Sequence, residues 1–152
     1  MPSFHRALFV PSVALAAFAA AFAAACGGSL DATSPEPVTG TGEVYALATT
    51  DDINIPASFI SEGRTVEVRK GALTLGPDST FIFSLALRSS ANGTQPANGT
   101  VTIRGAFHRS GTALALVQQA SDTLFAGTYT TSLVSLLRGK ASVVGDRYTF
   151  SR

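Results

Sequence analysis

From residue 42 onward, apolar and polar side chains alternate with period two, the mark of strands with one face in a core and the other toward water. The clearest run is 80–89, where Phe81, Phe83, Leu85 and Leu87 share one face. Thr80, Ile82, Ser84, Ala86 and Arg88 occupy the other. Seven more stretches read as strands: 43–49, 65–75, 101–108, 113–117, 123–130, 133–137 and 147–152. In 65–75, Val66 and Val68 lie on one face, but beyond Gly71 the apolar positions shift to Leu73 and Leu75. That change of parity at a glycine predicts a bulge. Val101, Ile103 and Phe107 fall together with Gly105 between them, as do Phe125, Gly127 and Tyr129; Tyr148 and Phe150 point inward.

The connections carry turn chemistry. Gly76-Pro77-Asp78-Ser79 is a turn, in which proline presets the backbone angle and aspartate supplies a local hydrogen bond. Ser110-Gly111 marks another. Residues 51–60 contain Pro56 and no clean period, and read as a crossing segment with one helical turn. Residues 89–100 read as a polar loop with two Asn-Gly-Thr copies, explained by the turn-forming Asn-Gly pairs. Helix is disfavoured across the folded part, because Thr, Val, Gly and aromatic residues recur without an apolar stripe at 3.6 spacing. About eight antiparallel strands joined by short hairpins suit an all-β up-and-down barrel, which leaves no long edge exposed. A two-sheet β-sandwich is the rival.

Ahead of this domain the pattern is different. Arg6 is the only side-chain cation before an apolar stretch, 7–25, that ends in small residues and the sole cysteine, Cys26. A basic start, an apolar centre and small residues at the cut are the parts of an export signal. Ala23-Ala24-Ala25-Cys26 resembles the lipobox of bacterial lipoproteins, with Ala23 where leucine is commoner. That resemblance implies a signal peptide over 1–25 and lipidation (diacylglycerol, with palmitate-type acyl chains) at Cys26. Ordinary cleavage after the Ala-x-Ala, giving a secreted protein, and an uncleaved membrane anchor are the alternatives; Pro11 and the weak hydrophobicity of alanine weigh against the anchor. Gly27 after the cysteine, rather than Asp, points to the outer membrane. A lone thiol in an oxidising compartment would be prone to cross-linking, and a thioether removes that hazard. Several acyl chains at ~0.8 kcal/mol per buried methylene hold far more firmly than one.

Residues 26–41 follow as a Gly, Ser, Thr and Pro-rich flexible linker, and 42–152 as the folded domain. Without the leader, ten cations face ten anions. Neutral, dispersed charge excludes a nucleic-acid partner, which demands a basic face, and an electrostatic membrane patch.

The runs Gly71-Ala72-Leu73-Thr74-Leu75, Asp78-Ser79-Thr80-Phe81, Gly105-Ala106-Phe107 and Tyr148-Thr149-Phe150-Ser151-Arg152 resemble small bacterial lipocalin-like domains over most of 42–152. The resemblance implies a barrel and carries over no site residues. Chemistry is sparse. His108 sits alone at a strand end beside Arg109, Asp51-Asp52 reads as a turn, and no nucleophile elbow, phosphate loop or metal-ligand cluster occurs. No enzyme, metal or cofactor is therefore expected. Phe81, Phe83, Phe107, Phe125, Tyr129, Tyr148 and Phe150 either fill the barrel or line a cavity for a small apolar or amphipathic ligand. Two functional readings stand: a lipid-anchored envelope protein with a ligand in its barrel, and a structural or protein-interaction module of the envelope with none.

Overall fold

The computed structural model describes residues 36–91, 93–118 and 122–152. Ten strands form: β1 (Glu43–Thr50), β2 (Ile53–Asn54), β3 (Ala57–Ser61), β4 (Arg64–Leu75), β5 (Thr80–Ser90), β6 (Ala97–Ser110), β7 (Ala113–Val117), β8 (Thr123–Tyr129), β9 (Leu133–Arg138) and β10 (Arg147–Ser151). All neighbours are antiparallel, and β4 to β10 follow one another in a meander. β10 returns to β1, and β1 pairs with β4 through Glu43↔Leu75 to Ala46↔Ala72. That last pairing closes the sheet. The result is an antiparallel up-and-down barrel of eight strands, lipocalin-like in architecture, with β2 and β3 as additions; the sandwich is set aside.

Closure is partial along the seam. Below Ala46, β1 pairs with β2, while the lower half of β4 pairs with β3. The segment 51–61 thus fills the gap where β1 and β4 part. The expected helical turn in 51–60 is absent: β2 and β3 lie there, separated by a cis Ile55–Pro56 bond. The open flanks of β1 and β4 offer backbone groups that an extended segment satisfies and a helical turn does not. Asp51 and Asp52, both at positive φ, make the turn into β2.

The predicted loop 89–100 also needs correction. β5 continues to Ser90 and β6 starts at Ala97, with Asn98↔Arg88 and Gly99↔Leu87 in register. The second Asn-Gly pair is strand, because ladder pairing overrides its turn propensity. The parity change in β4 is a bulge, with the register slipping between Val68 and Lys70. It sits just ahead of Gly71, where a Cβ would come within 2.9 Å of Leu47 and Leu85 side chains.

Inward residues form one continuous core from Tyr45 and Leu47 on β1 round to Tyr148 and Phe150 on β10. Outside the wall, residues 36–41 of the expected linker lie against β4 and β5. Ser84 Oγ donates to the Val38 carbonyl at 3.0 Å, and the Gly40 amide donates to Thr74 Oγ1 at 3.4 Å. Ala72, Thr74, Ser84 and Ala86 on that outer face are buried, and their small side chains suit a covered surface. The expected signal peptide (1–25), Cys26 and residues 27–35 of the expected linker lie outside the described residues. No described helix is long and apolar enough to cross a membrane.

Candidate functional site

Four of the aromatic residues expected to fill or line the barrel, Phe83, Phe125, Tyr148 and Phe150, meet at its centre. Phe83 stacks on Phe125 with centroids 4.6 Å apart, and meets Tyr148 and Phe150 edge-on at 5.2 and 5.8 Å. Phe125 meets Tyr148 at 5.8 Å. These are contact distances for aromatic pairs, each adding about 0.5–1.5 kcal/mol beyond burial. Phe81, Phe83, Phe125, Tyr148 and Phe150 are almost wholly inaccessible. The three remaining candidates, Phe81, Phe107 and Tyr129, lie toward one end of the barrel rather than its middle.

At that end the strands bring polar groups together. Tyr45 from β1 and Tyr129 from β8 both donate their hydroxyls to Glu43 Oε2, each at 2.8 Å. Their rings meet edge-on at 6.1 Å. Arg109 from β6 lays its guanidinium over the Tyr129 ring, 3.7 Å from the centroid, with a nitrogen 3.8 Å from Glu43 Oε2. A buried tyrosine needs a partner for its hydroxyl, and one carboxylate serves two of them. The electrostatics agree. The Tyr129 hydroxyl, then that of Tyr45, hold the Glu43 carboxyl below its ordinary value, with Arg109 and Arg152 adding to the effect. Burial first, and then its hydrogen-bonded neighbours, push the Tyr45 phenol upward, so it stays a donor at neutral pH.

Glu43 and Arg109 also border an open cleft of ≈ 460 Å³, walled by Leu75, Pro77 and Phe107. The cleft joins apolar walls to one cation and one anion. Its lining also holds the hydroxyls of Thr41 and Ser79. Among the described residues no three His, Cys, Asp or Glu side chains gather as metal ligands, and His108 stands exposed on β6.

The opposite end is closed by the β9–β10 connection. Asp51 Oδ1 accepts from the amides of Asp146 and Arg147 at 2.8 and 2.7 Å, and Arg147 pairs with Asp52 at 2.8 Å. Tyr148 donates to the carbonyls of Val144 and Gly145. The acidic pair therefore pins a loop, as a turn reading implies.

Sequence reasoning singled out Tyr129 and Phe107 at the first end, but not Glu43, Tyr45 or Arg109. The alternation in 43–49 is weak, and of the partners of Glu43 only Tyr45 is local, while Tyr129 sits 86 residues away in sequence. The chain matches no protein-family model, no curated protein and no solved structure.

Proposed function

We propose that this chain is a lipid-anchored protein of the cell envelope, held through Cys26 in the outer membrane, and that its barrel is a structural or interaction module working through its surface. The single observation that carries the second part is the ring packing around Phe83. Its contacts with Phe125, Tyr148 and Phe150 occupy the axis where a barrel of this size would otherwise hold a small molecule. The anchoring rests on the sequence around Cys26, whose small residues and position ahead of a polar linker suit lipidation.

The cleft beside Arg109 favours a second reading. Apolar walls of Leu75, Pro77 and Phe107 with a cation at the rim suit an amphipathic ligand carrying an anionic head. Native mass spectrometry of the full chain, released from membranes in mild detergent, separates the two. The module reading predicts no non-covalent small molecule at substoichiometric or higher occupancy. A co-purified amphiphile that is lost in Arg109→Ala replaces that reading with the second.

A further inference from the structure

Residues 36–41 form a strap that runs along the outer wall of the barrel in step with β4. The Gly40 amide donates to Thr74, Ser84 (opposite Ala72) donates to the Val38 carbonyl, and Glu36 pairs with Lys70. Followed from Gly40 back to Glu36, the strap leaves the end that holds Glu43. It heads toward the opposite end, where Asp51 pins the β9–β10 connection. Lys70, which fixes Glu36, stands six residues from the start of β4 at Arg64, or about 20 Å from that end. Nine residues, 27–35, separate Glu36 from Cys26. A stretch of that length spans at most about 35 Å, so a domain anchored through Cys26 stays close to the bilayer whichever way it turns.

The exposed apolar residues select the face. Among the described residues, the three most exposed large apolar side chains are Ile60 at 86%, Leu137 at 52% and Ile53 at 50%. All three lie at the end toward which the strap heads. Ile60 precedes the Glu62-Gly63 turn of the β3–β4 hairpin, and both turn residues have positive φ. Ile53 opposes Thr50, and Leu137 opposes Arg147 at the start of β10. They also share one side of the barrel, since β2 and β3 fill the β1–β4 seam and β10 alone separates β1 from β9. Single exposed apolar residues are ordinary, but three gathered on one rim are not scattered. The charges at that rim are paired, Arg147 with Asp52 and Arg138 with Asp146.

We infer that this rim is a bilayer-facing surface, on which Ile60, with Ile53 and Leu137 on the same rim, enters the interfacial region of the membrane that holds Cys26. The partner is a lipid surface, and the contact is apolar. With the rim charges paired, insertion does not depend on anionic lipid. Three side chains add little to the hold of several acyl chains; what they set is the orientation of the barrel. The Glu43 cluster and the cleft beside Arg109 then face away from the membrane, toward molecules in the surrounding compartment.

The bilayer-facing rim rests on the reading that Cys26 is lipidated, and the two fail differently. An unmodified mass at Cys26 would remove both; a lipidated chain whose rim stays in water would remove the rim contact alone.

The test is fluorescence quenching on the full chain, purified from membranes and reconstituted into phosphatidylcholine vesicles. With Cys26 held in a thioether the chain has no other thiol, so one introduced cysteine takes an environment-sensitive fluorophore specifically. Ile60→Cys and Leu137→Cys are expected to give blue-shifted emission that is lost when nitroxide-labelled lipid is included. Leu133→Cys, at the opposite end of β9, is expected to be quenched only by a water-soluble agent. All three positions are exposed, so each labelled variant keeps the wild-type melting temperature. Replacing part of the phosphatidylcholine by phosphatidylglycerol is expected to change nothing. Equal lipid quenching at Ile60 and Leu133, a blue shift at Ile60 without lipid quenching (protein rather than lipid covering the rim), or quenching that requires anionic lipid would each overturn the inference.

Discussion

Glu43 is the residue on which one end of the barrel depends, and its carboxylate works because it is charged. Two tyrosine hydroxyls donate to one oxygen, and Arg109 stands over the second ring. The folded-state pKa is depressed, so the stabilisation is fully present above the ordinary carboxylate value of 4.5 and is lost as pH falls below it. Wild type should therefore melt above Glu43→Gln near neutral pH, with the gap closing as pH drops through the depressed value. A gap that stays constant down to strong acid would contradict this. Thr50, at the other end of β1, is the converse case. It is wholly buried, and among the described residues its hydroxyl has no hydrogen-bond partner. Thr50→Val keeps the branched shape and removes the unsatisfied group, so urea unfolding should show a gain of about 1 kcal/mol. A loss would mean that the hydroxyl is satisfied.

At the scale of elements, close approach between strands is set by glycines whose neighbours leave no room. A Cβ on Gly127 of β8 would lie 1.8 Å from the Ser135 carbonyl oxygen of β9. Backbone cannot yield as a side chain can, so Gly127→Ala should cost more than about 3 kcal/mol or prevent folding. Gly99 on β6 has nothing within 4 Å of the same position, so Gly99→Ala should be neutral or stabilise by up to about 1 kcal/mol. Equal effects in denaturant titrations of the two variants would contradict the packing described. Element identity was legible wherever one face of a strand is buried: Phe81, Phe83 and Leu85 on β5 carry an unambiguous period. It was illegible at 51–60, where the parted flanks of β1 and β4 impose strand on a segment without alternation. It was also illegible at 97–100, where a ladder partner overrides an Asn-Gly signal. The polar cluster escaped for a related reason: Glu43, Arg109 and Tyr129 meet only because β1, β6 and β8 end at the same rim.

For the whole molecule, the described domain is a barrel packed by its own aromatic side chains, and the sequence around Cys26 resembles a lipoprotein signal. Under the module reading, this packing leaves the surface as the part of the domain that would meet other molecules. The reading as an anchored module turns on Cys26. Its most direct test is the intact mass, under denaturing conditions, of the full chain expressed in a lipoprotein-processing bacterium and taken from the membrane fraction. The predicted result is the polypeptide beginning at Cys26 plus the mass of diacylglycerol and an amide-linked acyl chain, with Cys26→Ser lacking that addition and leaving the membrane. An unmodified polypeptide mass, or full membrane retention of Cys26→Ser, would contradict the account.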